Sequence, residues 1–230
     1  LYRFRDNGDR DVALRYDLTV PLARVLAEHG DIGMPFRRYQ IAPVWRAEKP
    51  ARGRFREFMQ CDVDLIGVDT AAADAEMLVI GAAVMERFGV EKYRLRINHR
   101  GLLTALCRLV GLEGAAESDF LRILDKLDKI GEEKFRSEVT SIPGLNTAGL
   151  DKVLEVVLCD KDEPREVLEH VAAIVGGDPE ADAAVERMGE ILNIVEAAGI
   201  AAFCRIDPAI ARGLSYYTGL DRKSTRLNSS

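Results

Sequence analysis

One stretch of this chain carries residue types suited to phosphate chemistry. Arg46, Arg54 and Arg56 lie close together, with Glu48 and Phe58 among them. Arginine presents a planar fork that stays charged and can bind phosphate oxygens two at a time. Arg46 and Arg54 stand at the two ends of a short loop, where they could clamp successive phosphates of a bent triphosphate. Phe58 offers a flat apolar face for a purine ring. Glu48 offers an acceptor for an exocyclic amine. Beyond them Gln60, Asp62 and Asp64 follow at alternate positions.

A strand, a loop and a second strand are needed to hold these residues. Phe36 to Trp45 reads as a strand. Ala47 to Arg54 contains Pro50 and Gly53 and reads as a loop. Phe55 to Ile66 returns as a strand, so the two form an antiparallel pair. A period of two puts Phe58, Gln60, Asp62 and Asp64 on one face. An aromatic, an amide and two acids are poor core material, so that face reads as the floor of a polar pocket. Ahead of the pair, Val12 to Tyr16 alternates, and a helix follows with Thr19 expected as its N-cap and Pro21 in its first turn. Leu22, Val25 and Leu26 fit one face of that helix, and Gly30 and Gly33 end it.

Thr70 to Phe88 is the clearest helix, with Met77, Ile80 and Val84 along one face and Gly89 as its stop. Tyr93 to Ile97 reads as a strand. From Gly101 to Ile200 the pattern is helical, with helices near Phe120 to Ile130, Asp151 to Val157 and Ala181 to Ala198. Ala201 to Asp207 reads as a strand again. These readings divide the chain into a core over 1–100, a helical insertion over 101–200, a return to the core over 201–220 and a tail over 221–230. The tail lacks apolar periodicity, is rich in Ser, Arg and Lys, and reads as foreign sequence.

The bulk figures set bounds. The chain has 230 residues, 47% of them hydrophobic and 30% charged, and neither figure points to disorder. Its formal charge of −6 disfavours a dedicated duplex-binding module and leaves room only for local nucleic-acid contact. Cys61, Cys107, Cys159 and Cys204 form no CxxC pair and read as buried or incidental thiols in a reducing compartment. His29, His99 and His170 show no ligand spacing, so no metal site is expected. The most apolar run, Met77 to Met85, is too short to cross a bilayer, so no membrane partner is expected and a cytoplasmic protein is the default. The chain begins with Leu1 rather than Met, and the true N-terminus is expected to lie upstream.

The ordered string from Trp45 to Gly67 resembles motif 2 of class II aminoacyl-tRNA synthetases in its histidyl-tRNA synthetase form. The matching positions are Arg46, Glu48, Pro50, Gly53, Arg54, Arg56, Phe58 and Gln60. The resemblance implies that Arg46 binds the α-phosphate of ATP, Arg54 the β- and γ-phosphates and Glu48 the adenine amine, while Phe58 stacks on adenine. The segment Leu14 to Pro21 is similar to the family's contact with the α-amino group of the amino acid. Asp17 and Thr19 would take that role with Gln60, since an ammonium needs a carboxylate and further oxygen acceptors. Arg212 to Gly219 resembles the histidine-specific motif. There Arg212 would contact the substrate carboxylate and α-phosphate, as a second catalytic arginine beside Arg46. Tyr216 and Tyr217 would line the imidazole pocket, and Asp64 would accept a hydrogen bond from an imidazole N–H. Ser215 stands where the family usually has Asp, which alters the local support of Arg212.

The resemblance covers nearly all of residues 1–220. It implies an α+β fold: an incomplete antiparallel-sheet class II catalytic core with a mainly α-helical insertion. Asp125 to Gly131 is similar to an insertion helix that approaches the tRNA acceptor stem. The implied activity is histidine activation by ATP with Mg²⁺, then transfer to tRNA(His), in a cytoplasmic homodimer. Motif 1 is expected before Leu1 and motif 3 after Gly219, so this piece alone is expected to be inactive. The alternative within the fold is the non-catalytic synthetase-like regulatory subunit of ATP phosphoribosyltransferase in histidine biosynthesis.

Overall fold

The computed structural model describes residues 1–159, 161–211 and 218–227. The chain divides into two compact units, Leu1–Asp69 and Thr70–Ser230.

The first unit opens with a short antiparallel pair, β1 (Arg3–Arg5) and β2 (Asp11–Ala13), followed by helix α1 (Thr19–Glu28). The expected cap of α1 shifts. Thr19 is already the first helical residue and Leu18 occupies the cap position without a side-chain cap bond. Asp17 serves instead, its Oδ1 accepting from the Val20 N–H at 3.0 Å. A carboxylate three residues back reaches a free first-turn N–H, whereas a hydroxyl inside that turn does not. The predicted hairpin follows as β3 (Phe36–Trp45) and β4 (Glu57–Ile66), antiparallel, with Arg38 opposite Asp64, Gln40 opposite Asp62, Ala42 opposite Gln60 and Val44 opposite Phe58. Leu18, Ala42 and Val44 form a small buried cluster with Phe58 packed against it. On the opposite face Tyr39, Ile41 and Met59 are exposed. At the end of β4, Gly67 turns the chain at φ +82°, and a Cβ there would meet Met34 Sδ at 2.7 Å.

The second unit begins with helix α2 (Ala71–Arg87), capped by the Thr70 hydroxyl accepting from the Ala73 N–H. Its buried stripe is Ala71, Ala75, Leu78 and Ala82, while on the face of Met77, Ile80 and Val84 the first two are half-buried and Val84 is exposed. Alanines let this helix pack closely against its neighbours, so size complementarity overrides side-chain hydrophobicity in choosing the buried face. Strand β5 (Tyr93–His99) is the centre of a three-stranded sheet. It pairs in parallel with β6 (Cys204–Ile206) and antiparallel with β7 (Leu220–Arg226). A parallel pair needs a crossover, and the helical region supplies it.

That crossover consists of α3 (Arg100–Leu109), α4 (Gly114–Leu124), α5 (Leu127–Ile130), α6 (Glu132–Val139), α7 (Thr147–Val157), α8 (Pro164–Val175) and α9 (Pro179–Ala197). The helix expected over 120–130 is broken around Asp125 and Lys126 into α4 and α5. A 3-10 turn at Ala201–Phe203 precedes β6. Polar side chains close the starts of α3, α7 and α9: His99 Nδ1 accepts from the Gly101 N–H, Asn146 from Ala148, and Asp178 from Glu180 and Ala181. One core, with Phe120, Phe135, Leu106 and Met188 fully buried, runs from α2 through β5 to α9. The tail expected to be unpatterned supplies β7. Main-chain pairing to an open edge tolerates a charged sequence, and period-two apolarity is not required there.

Cys107 and Cys204 are buried, and burial pushes their thiols up to about 12 and about 11. The thiolate is the reactive form, so both are expected to resist a maleimide at neutral pH, while exposed Cys61 labels rapidly. Mass spectrometry of the labelled native protein checks this. Labelling of Cys107 as fast as Cys61 would contradict the buried placement.

Candidate functional site

The hairpin positions most of the predicted site. Arg46, Glu48, Gly53, Arg54, Phe55 and Phe58 line one cavity of 470 Å³ at the loop end of β3 and β4. The loop between the strands is closed by reciprocal main-chain bonds between Ala51 and Arg54 and by the Arg46 N–H donating to the Arg56 carbonyl at 2.8 Å. These bonds fix the two ends of the loop and bring Arg46 and Arg54 to one opening. Arg56 points elsewhere, its Nε donating to the Glu48 carbonyl at 3.4 Å.

Arg46 lies against two aromatic rings. Its guanidinium carbon lies 4.5 Å from the Tyr16 ring centroid and 5.2 Å from that of Phe58, and its Nε donates to the Tyr16 carbonyl at 3.3 Å. Aromatic faces favour a cation and still leave guanidinium N–H groups for an anion. The arrangement can bind a polyphosphate chain beside an aromatic ring. Tyr16 was not singled out from the sequence, although it lies in the segment that drew notice for Asp17 and Thr19.

Away from the loop, the half-buried face of β4 continues with Gln60, Asp62 and Asp64, as the period of two required. Gln60 Nε2 donates to Asp62 Oδ1 at 2.7 Å. Arg38 Nε lies 3.0 Å from Asp64 Oδ2. Burial pushes the Asp64 carboxyl above its ordinary value; the Arg38 guanidinium pulls it back, and the Asp62 carboxylate pushes it up. Among the described residues, Gln60 Oε1 and Asp64 Oδ2 are buried acceptors with no hydrogen-bond partner. Buried acceptors without partners are costly, and together they make a floor that suits N–H donors. Arg38 and Gln40 were missed. The same period of two, applied to Phe36–Trp45, puts them on the face of Asp64 and Asp62.

The remaining predicted residues lie apart from that cavity or outside the described residues. Asp17 is half-buried and commits one oxygen to the start of α1, and Thr19 is exposed. Asp17 also lines a second, mainly apolar cavity of 860 Å³ with Leu14, Val20, Pro21 and Val25. Arg212, Ser215, Tyr216 and Tyr217 lie outside the described residues. The segment before them is anchored. Buried Asn98 donates to the Pro208 and Ile210 carbonyls at 3.2 and 3.0 Å, and Arg96 pairs with Asp207 and with Asp128 of α5. Among the described residues no group of three or more His, Cys, Asp or Glu could hold a metal ion, and no helix is long and apolar enough to cross a membrane.

Residues 1–221 match a family model described as histidyl-tRNA synthetase. A histidine–tRNA ligase of Rhodopirellula baltica is 44% identical over 227 residues, covering 98% of this chain and 51% of that protein. The crystal structure of histidyl-tRNA synthetase from Nostoc sp. PCC 7120 superposes with a TM-score of 0.86 at 31% identity, covering 98% of this chain and 52% of that one. An ATP phosphoribosyltransferase regulatory subunit/histidyl-tRNA synthetase from Bacillus halodurans superposes with a TM-score of 0.84 at 25% identity, covering 98% and 57%. The chain spans about half the length of the curated relatives it matches. The family match ends at residue 221, at the start of the Ser-, Arg- and Lys-rich tail.

Proposed function

This chain belongs to the histidyl-tRNA synthetase family, and from that premise we propose that the full-length protein is a histidine–tRNA ligase. The histidine carboxylate oxygen attacks the α-phosphorus of ATP, the bond to the β-phosphate breaks and pyrophosphate leaves. A hydroxyl of the 3′-terminal adenosine of tRNA(His) then attacks the adenylate carbonyl, and AMP leaves. Mg²⁺ comes with ATP as its counter-ion. Catalysis of this kind is positioning and charge stabilisation, with no covalent nucleophile required of the protein. In this reading Arg46 and Arg54 hold the phosphates, Glu48 and Phe58 the adenine, Gln60 with Asp17 and Thr19 the α-amino group, and Asp64 the imidazole. Arg212, Tyr216 and Tyr217 complete the amino-acid site. The protein acts as a homodimer in the cytoplasm, with no membrane partner.

The observation that carries the reading is one strand bearing both chemistries. Phe58 borders the arginine-lined cavity. On the same face of β4, Gln60 and Asp64 present acceptors for N–H donors. The likeness to the Bacillus halodurans protein keeps a second reading in view, a histidine-binding regulator without tRNA charging. Pyrophosphate exchange on the full-length protein separates them. Label should pass from pyrophosphate into ATP only when histidine is present. Histidine binding without exchange would select the regulator, and exchange driven equally by another amino acid would refute the assignment.

A further inference from the structure

Resting on the histidine-binding reading above, we propose that Arg38 is the positioning residue that fixes the two ends of the amino-acid site relative to one another. Its guanidinium is nearly buried and reaches three elements. Nη2 donates to the Leu18 carbonyl at 3.1 Å, Nη1 donates to Gln40 Oε1 at 2.6 Å, and Nε lies 3.0 Å from Asp64 Oδ2. Leu18 stands between Asp17 and Thr19, the residues assigned to the α-amino group, and is itself fully buried. Asp64 is the residue assigned to the ring N–H. One rigid fork therefore spans from the ammonium end of the site to the imidazole end.

The geometry at Asp64 is what makes this a functional contact rather than a brace. The Arg38 Nε and Asp64 Oδ2 atoms are close enough to pair as charges, yet neither has a hydrogen-bond partner among the described residues. Arg38 thus supplies counter-charge to a half-buried carboxylate without taking a hydrogen bond from its buried oxygen. The hydrogen-bonding capacity of that acceptor is unspent. Stability alone does not call for such a pair, because desolvating two charges offsets most of their attraction and an apolar pair does as well. A lysine in its place would keep a charge and lose the fixed fork that reaches three directions.

The test uses the full-length protein with Arg38→Met and Arg38→Lys. Binding of histidine and of 2-thienylalanine, whose ring has no N–H, is measured by calorimetry, alongside the KM values for histidine and ATP in exchange and the melting temperature. Arg38→Met should weaken histidine binding roughly tenfold or more, the scale of a lost charged contact. Thienylalanine should lose less, the ATP KM should stay at its wild-type value, and Arg38→Lys should recover part of the loss. Wild-type histidine affinity in Arg38→Met overturns the proposal, as does an equal loss for both ligands, which marks a general loosening. If Arg38→Met fails to fold, Arg38→Lys and Asp64→Asn decide, and wild-type histidine affinity in both overturns it. A wild-type protein that binds histidine without exchange refutes the ligase reading and leaves the Arg38 test standing on binding alone. A wild-type protein that binds no histidine overturns both.

Discussion

Arg46→Ala in the full-length protein is expected to lower histidine-dependent pyrophosphate exchange roughly 10²–10³-fold, about 2.7–4 kcal/mol of transition-state stabilisation. The effect belongs mainly on kcat. The entering carboxylate and the departing pyrophosphate build charge at the α-phosphate that is larger in the transition state than in bound ATP, and a donor aimed at that charge acts chiefly there. In that role Arg46 would be prepared before any ligand arrives. The Tyr16 and Phe58 rings both lie against its guanidinium, and the Tyr16 carbonyl accepts from its Nε. Little reorganisation is then needed at the moment of reaction. Arg46→Lys keeps the charge and loses the fork, so it should recover only part of the rate. Both variants should melt like the wild type, because Arg46 is half-buried and its surface contacts contribute little to folding. Exchange at the wild-type rate in Arg46→Ala would remove the α-phosphate role from this residue.

Gly149→Ala is expected to destabilise the second unit by about 1–3 kcal/mol, the usual scale for overpacking. Gly149 lies in α7 and faces α3. A Cβ there would stand 1.9 Å from the Leu109 carbonyl oxygen and 2.6 Å from its carbonyl carbon. Those are backbone atoms at the end of a helix, so no side chain can swing away and α7 itself must move. At this chain length each kcal/mol shifts the melting temperature by roughly 2–4 °C, so a fall of up to about 12 °C is expected by calorimetry. Gly189→Ala is the control. That glycine lies in the interior of α9, and a Cβ there meets nothing within 4 Å. It should stabilise by about 0.5–1 kcal/mol through helix propensity alone. A Gly149→Ala variant that melts like the wild type would mean that α7 and α3 do not approach as closely as described.

The hairpin was legible because its signals are local. Pro50 and Gly53 punctuate the loop, and period-two alternation fixes which side chains share a face. Phe36–Trp45 therefore emerges with its predicted bounds, and Arg46, Glu48, Arg54 and Phe58 come to one cavity. The ordered string from Trp45 to Gly67 was specific enough to indicate the family, since each position contributes independently to the match. The helical character of residues 101–200 was legible for the same local reason, from apolar spacing between Gly and Pro breaks.

What the sequence left open depends on partners far along the chain. Which face of α2 is buried was decided by how closely neighbouring elements approach, so alanines went inward and Val84 stayed exposed. The helix start at Thr19 was decided by where Leu18 is buried, which handed the capping bond to Asp17. The parallel pairing of β5 with β6 joins residues more than a hundred positions apart, and no local pattern encodes such a partner. The strand formed by Leu220–Arg226 pairs its main chain with the edge of β5, and Leu220 packs against the core. Sequence by itself thus determined which residues could do the chemistry and which short elements carry them. The tertiary structure alone decided that Arg38 reaches both Leu18 and Asp64, because distances between the ends of a site are set by packing and cross-strand register, which no single segment contains.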